Sequence, residues 1–361
     1  LNRKVLVRWS VLLLVCISAS LGAAWFLTSD GYTGRVQPGA GNVAAASMQP
    51  RLPVKSVAKQ TGKGAGKAGE PAADWPQFLG RDRDNRSRET GLLDEWPEKG
   101  PEQLWSAKGL GEGYSSVAVS RGFIYTMGTD AKLEFVIALN ADDGSEVWRV
   151  PIDQKRDDGT GNGPRSTPTV DGDFVYVIGA NGMLACLKAA QGELVWKKDI
   201  LVEFKGTLPG WGICESVLID GDRLICTPGT AKTSLVALNK HSGQLIWKSE
   251  VPQTTNIAFS SVVPADVGGV RQYVQFLHHA LVSVRASDGK WLWSDKSSAN
   301  GAANCTSPLV VDDVVFSSTG YSKGGAALKL TSNSVEQTTD AKLIYDTKKV
   351  QTHHGGMAAI G

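Results

Sequence analysis

From Trp75 onward the chain alternates short apolar runs with Gly-, Asp- and Asn-containing turns, at the period of strands and not of helices. The clearest unit reads Ser166 to Val170, Phe174 to Ile178, Met183 to Leu187 and Glu193 to Lys197 as four strands. Turns at Asp171-Gly172-Asp173, Asn181-Gly182 and Gln191-Gly192 separate them. Strands joined by turns this short form one antiparallel sheet. The last strand carries Trp196, with Gly192 four residues earlier, and the same pair recurs as Gly144/Trp148, Gly243/Trp247 and Gly289/Trp293. The Trp spacings are 48, 51 and 46 residues, and Trp105 lies 43 residues before the first of them. A fixed period in this range marks a repeat architecture whose units stack to bury their apolar faces, so Trp105, Trp148, Trp196, Trp247 and Trp293 read as structural core plugs.

Corresponding units begin near Tyr114, Glu215, Ser260 and Ser307. The fifth closes on Leu343-Ile344-Tyr345, with Tyr in the place of Trp, and its Thr331 to Asp340 stretch reads as an insertion. A sixth opens at His353 and stops at Gly361. Four strands in each repeat of about 48 residues fit the blade of a β-propeller better than the turn of a solenoid. The expected fold is therefore an all-β propeller of four-stranded antiparallel blades, five complete and a sixth begun. The full ring is expected to have seven or eight blades and the C-terminus to be truncated. Trp105 is expected on the outer strand of the last blade, closing the ring and hiding its edges. No amphipathic helix is expected after Trp75.

The sequence before Trp75 has a different character. Residues 1–28 begin with Arg3, Lys4 and Arg8, followed by the apolar run Val11 to Ile17 and the small-residue stretch Ser18 to Ala24. This is the pattern of a cleaved signal peptide, but Trp9 to Thr28 is also long enough for an uncleaved membrane anchor. Both readings export the chain to the periplasm or cell envelope, the second holding it at the inner membrane. Residues 29–74 read as a disordered Gly/Ala/Lys-rich linker. Within it, Gly62 to Lys67 lacks the first Gly and the following Ser/Thr of a phosphate loop. The domain over 75–361 opens with Trp75-Pro76-Gln77-Phe78 and a loop containing Asp82-x-Asp84, which lacks the Gly and Glu of a calcium loop and reads as solvated.

Composition sharpens this picture only slightly. The 361 residues include 41 Gly and 11 Trp, in keeping with a turn-rich, aromatic-plugged β chain. A net charge of +2, with no basic stripe, argues against nucleic acid as partner. The five Cys, at 16, 186, 214, 226 and 305, lack the paired spacings of a disulfide framework or zinc motif. Cys16 falls in the apolar leader; the other four, on or next to expected strands, read as buried thiols, with a Cys214–Cys226 bridge as the alternative. No nucleophile elbow or zincin motif occurs.

The Gly-x-x-x-Trp endings, fullest at Ala138-Leu139-Asn140-Ala141-Asp142-Asp143-Gly144-Ser145-Glu146-Val147-Trp148, resemble the pyrroloquinoline-quinone-type propeller repeat. WD40 repeats differ, since there Asp follows the Trp, whereas Arg149, Lys197, Lys248 and Ser294 follow it here. Together with Pro209-Gly210-Trp211-Gly212, the endings are similar to those of exported bacterial propellers of the BamB-like and polyvinyl-alcohol-dehydrogenase-like group. The resemblance implies one of two jobs. Some such propellers are quinone-dependent dehydrogenases that bind pyrroloquinoline quinone and calcium; others are scaffolds that bind proteins. An adjacent Cys pair and a Cys-x-x-Cys-His haem site, marks of many dehydrogenases, are missing from the sequence.

Propeller ligands meet the chain near the starts of the inner strands, where Arg165, Trp211, Glu215, Phe259, Asn304, His353 and His354 fall. Glu215 stands in an apolar context in which an unpaired carboxylate is costly. Either it pairs with Arg165 of the neighbouring blade, or it joins Asn304 in holding calcium while Arg165 contacts a quinone and Trp211 stacks on it. His353 and His354, if on a strand, point to opposite faces and do not share one metal easily. His278-His279 reads the same way. The expected function is a monomeric envelope scaffold for a protein or extracellular polymer, in contact with the membrane through residues 1–28 if these are retained. The alternative is a quinone- and calcium-dependent alcohol or sugar dehydrogenase.

Overall fold

The computed structural model describes residues 74–157, 159, 161–252 and 256–360. The expected leader, Cys16, and all of the expected linker except Asp74 lie outside the described residues. The described chain forms five four-stranded antiparallel sheets in sequence order, each a blade of the propeller. Blade one is β1 (Ala118–Ser120), β2 (Phe123–Thr129), β3 (Leu133–Asn140) and β4 (Glu146–Gln154). Blade two is β5 (Thr169–Asp171), β6 (Phe174–Ile178), β7 (Met183–Lys188) and β8 (Leu194–Asp199). Blade three is β9 (Leu218–Asp220), β10 (Arg223–Cys226), β11 (Val236–Asn239) and β12 (Leu245–Lys248). Blade four is β13 (Val263–Val267), β14 (Val270–Phe276), β15 (Leu281–Arg285) and β16 (Trp291–Asp295). Blade five is β17 (Leu309–Val311), β18 (Val314–Thr319), β19 (Gly324–Asn333) and β20 (Thr338–Thr347).

The core is a series of layers between blades. One apolar cluster joins Tyr125, Val136 and Ala138 of blade one to Val175, Ala185 and Leu187 of blade two. Equivalent clusters join blades two and three, three and four, and four and five. No blade buries its faces alone, so each depends on its neighbours.

The Gly/Trp phrase has a physical meaning that its spacing within one repeat conceals. Each Trp lies opposite a small residue across its own sheet, as in Ala138↔Trp148, Cys186↔Trp196, Ala237↔Trp247 and Ser283↔Trp293, with Ala327↔Tyr345 in blade five. The indoles of Trp148, Trp196 and Trp247 then lean on the glycine of the next blade. A Cβ on Gly192 would lie 2.7 Å from Trp148, and one on Gly243 would lie 3.0 Å from Trp196. Trp247 packs on Gly289 in the same way. The indole N–H donates to the carbonyl at the head of that turn: Trp148 to Ala189 (2.9 Å), Trp196 to Lys240 (2.9 Å) and Trp247 to Ala286 (3.0 Å). Trp293 instead donates to Gln272 Oε1 of its own blade. These glycines have φ near +70°, where a side chain is strained. Trp105 makes the same pair of contacts, with Gly144 and the Ala141 carbonyl (3.0 Å). It thus serves blade one as the Trp of a preceding blade would, although it lies in extended chain outside any strand.

Three local features refine the sequence reading. The helix α1 (Ile200–Phe204) follows β8, capped by Asp199, whose carboxylate accepts from the amides of Leu201 (3.0 Å) and Val202 (2.9 Å). One turn is too short to leave a periodic signal. The 331–340 stretch lengthens the β19–β20 hairpin, with Thr331↔Asp340, Ser332↔Thr339 and Asn333↔Thr338 in register. It leans on blade four through Gln272–Thr339 (3.3 Å) and Arg285–Gln337 (2.8 Å) hydrogen bonds. The four described cysteines are free, so Cys214 and Cys226 are not bridged. Among the described residues no helix is long and apolar enough to cross a membrane.

Candidate functional site

The inner ends of the blades are tied by a relay of hydroxyls. Thr167 N–H donates to Ser216 Oγ (2.8 Å), Ser216 N–H to Ser261 Oγ (2.9 Å), and Ser261 N–H to Ser307 Oγ (3.0 Å). The separations of 49, 45 and 46 residues are the blade period, so each small hydroxyl supplies an acceptor to the preceding blade.

The chain's own segment 74–85 lies along these inner ends. Trp75 exchanges backbone hydrogen bonds with Val119 (2.9 Å each way), and the Pro76 carbonyl accepts from Val170 N–H (2.7 Å). Arg83 then reaches blades three and four. It donates to the carbonyls of Val262 (2.7 Å), Ser216 (3.1 Å) and Val217 and to Gln77 Oε1 (2.9 Å), and is only 3% exposed. Asp82 and the residues from Asn85 onward are solvated as expected, and Arg83 is the buried exception within the loop. Arg83 has φ +55°, and the tight turn around it aims the guanidinium inward. Burial pulls its pKa down to about 10, against the opposing charge of Glu215.

Arg83, and not Arg165, is the charge partner of Glu215. Glu215 is fully buried; its Oε2 accepts from Thr227 N–H (2.9 Å) and its Oε1 from the Thr227 hydroxyl (2.9 Å) and Gln275 Nε2 (3.3 Å). Burial pushes its carboxyl up to about 8, while these donors and the Arg83 charge pull it down. Arg165 is turned toward blade one, where it donates to the Gly163 carbonyl and the Gly161 carbonyl (2.7 Å) and lies 5.6 Å from the Tyr114 ring centre. Asn304 braces its own loop. Its Oδ1 accepts from Asn300 N–H (2.9 Å), and its Nδ2 donates to the carbonyls of Leu277 (3.1 Å) and His278 (2.9 Å). Glu215 and Asn304 share no hydrogen-bond partner. Trp211, 42% exposed, packs on Phe259 with ring centres 5.3 Å apart.

Sequence reasoning missed a second buried acid. Glu134 on β3 is fully buried opposite Asp153 on β4, and its Oε2 accepts from Ala180 N–H (2.9 Å). Glu134 Oε1 and Asp153 Oδ2 find no hydrogen-bond partner in the protein. Burial, and then the Asp153 charge, push Glu134 up to about 7. The available signal was a lone Glu in the apolar run Leu133-Glu134-Phe135-Val136-Ile137.

The histidine pair is also placed differently from the strand-based expectation. Residues 353–354 form a bend, and the two rings lie 3.9 Å apart on one side of the chain. Cys305 joins them: one ligand atom from each of Cys305, His353 and His354 falls within 4.8 Å of the others. His353 also meets the Tyr321 ring edge-on at 4.8 Å. Burial pushes the Cys305 thiol up to about 11. The His278 and His279 rings touch edge-on at 4.3 Å.

A family model described as outer membrane protein assembly factor BamB matches residues 132–361. The BamB of Yersinia pestis is 26% identical over 223 residues, which cover 60% of this chain and 52% of that one. The chain spans about half the length of the curated relatives it matches. Among solved structures, BamB from Moraxella catarrhalis superposes with a TM-score of 0.47 at 15% identity, over 69% of this chain and 65% of that one. The quinohemoprotein alcohol dehydrogenase from Comamonas testosteroni gives 0.44 at 14%, over 71% and 45%. With well over half of its residues under the matching model, the chain belongs to the BamB family of propeller-repeat proteins.

Proposed function

We propose that this protein is a non-catalytic scaffold of the cell envelope. Its blades and loops would present a rigid surface to a protein partner in outer-membrane protein assembly, the process named for its relatives. The observation that supports a scaffold is how the ring's inner polar groups are spent. Arg83, Glu215, Thr227, Gln275 and the serine relay bond to one another and to the backbone. A dehydrogenase requires the reverse, polar groups left to converge on a cofactor. Calcium takes six to eight oxygen ligands, whereas Glu215 and Asn304 direct their oxygens to separate protein donors. This donor set does not fit calcium. In this reading residues 1–28 export the chain, as cleaved leader or retained anchor, and the mature protein is a monomer that contacts no nucleic acid.

Three experiments test the proposal, the last on the full-length protein. Deleting the gene should lower the level of folded outer-membrane β-barrel proteins, and crosslinking in intact cells should join the protein to an assembly component. Titration with pyrroloquinoline quinone, with and without calcium, should leave the melting temperature unchanged. Normal β-barrel levels in the deletion strain, with calcium-dependent quinone binding that is lost in Glu215→Ala, would replace the scaffold with the dehydrogenase.

A further inference from the structure

We propose that Cys305, His353 and His354 form a transition-metal site suited to zinc, at the inner end of blade five. Their ligand atoms already lie within 4.8 Å of one another. Tetrahedral zinc with ordinary Zn–S and Zn–N bonds places such atoms about 3.3–3.6 Å apart. The remaining closure of about 1 Å is within reach of small side-chain rotations. One thiolate and two imidazoles are a borderline-soft donor set, which selects zinc, cobalt or copper over calcium and magnesium. Three protein ligands leave the fourth position to water or to a further donor.

The placement of the ligands is built by the fold. Cys305 precedes β17, and the histidines follow β20, so the site joins the two ends of one blade. The histidine segment is laced to blade five by side-chain-to-backbone hydrogen bonds independent of any metal. The Thr306 hydroxyl meets the carbonyls of Thr352 (3.3 Å) and His353 (3.5 Å), Thr352 N–H donates to Ser318 Oγ (3.1 Å), and Ser318 Oγ donates to the Val350 carbonyl (3.0 Å). His353 is further held between Tyr321 and Gly320, whose missing side chain leaves room for it: a Cβ there would lie 3.3 Å from the His353 ring. Cys305 and His353 are half-buried while His354 is exposed, which gives an ion a path from solvent. On binding, the ion replaces the thiol proton, which passes to solvent, and forms one bond to sulfur and two to nitrogen. The His278–His279 pair is not grouped with a third metal-ligating side chain among the described residues and serves as the internal control.

The test uses the full-length protein, stripped of metal and titrated with cobalt(II), then with zinc in competition. One equivalent of cobalt should bind with a thiolate-to-cobalt charge-transfer band and the intense visible bands of a tetrahedral site. Zinc should displace it and raise the melting temperature. Cys305→Ser should abolish the charge-transfer band and weaken zinc binding about 100-fold or more, and His354→Ala should weaken it at least 10-fold. His279→Ala should change neither. His354 is exposed, so its variant carries the test even if Cys305→Ser fails to fold. Absence of cobalt uptake, uptake without a thiolate band, or zinc affinity indifferent to His354→Ala would each overturn the proposal.

Discussion

At the scale of single residues, the molecule depends on a few groups whose surroundings set their behaviour. Glu134 is the clearest. Its carboxyl is raised from 4.5 to about 7 in the folded chain, so folding favours the protonated form. Its contribution is full below about pH 4.5 and is lost as pH rises through about 7, a change of about 3 kcal/mol at most. Glu215 and Asp153 are shifted in the same direction. The melting temperature should therefore fall between pH 5 and pH 8.5, and Glu134→Gln should flatten part of that decline. Parallel curves for the two proteins would contradict the assignment. Gly192 is a second such position: at φ +71°, with Trp148 2.7 Å from where its Cβ would stand, it accepts no side chain without strain. Gly192→Ala should cost about 2–4 kcal/mol by urea unfolding, combining the left-handed penalty with overpacking.

At the scale of elements, the segment carrying Trp75 and Arg83 is as much a part of the ring as the blades it touches. Arg83→Ala would leave the carbonyls of Ser216, Val217 and Val262 without this donor and, above about pH 8 where Glu215 ionises, would remove its nearby positive charge. The expected loss is about 3–5 kcal/mol. Measured at about pH 9, where Glu215 is ionised, Arg83→Met combined with Glu215→Gln should cost clearly less than the sum of the single changes, because the two buried charges then leave together. Additive costs in that cycle would show that the two residues act separately. In the serine relay, Ser261→Ala removes the acceptor of Ser216 N–H inside the protein, for about 1–3 kcal/mol. That loss should appear as one cooperative transition, since each blade's core is shared with its neighbour. A separate early transition for blades three and four would count against shared cores.

At the scale of the whole molecule, the sequence by itself determined the blade pattern. Turn residues and strand-period apolar runs recur in five units and the Gly/Trp pair in four, and repetition lifts them above noise. The tertiary structure decided what those residues do to one another. Gly192, Gly243 and Gly289 each make room for the tryptophan of the blade before, a contact that no single repeat contains. Arg83 lies in a turn without periodicity, so only the packing of blades three and four against it shows that it is buried and that its charge, not that of Arg165, acts on Glu215. The same holds for Cys305 and the two histidines, nearly fifty residues apart in the chain. Strand parity separated His353 from His354, whereas the bend at the end of blade five puts both beside the thiol. Local chemistry is written along the chain; which groups meet depends on packing between blades, and packing is a property of the assembled ring.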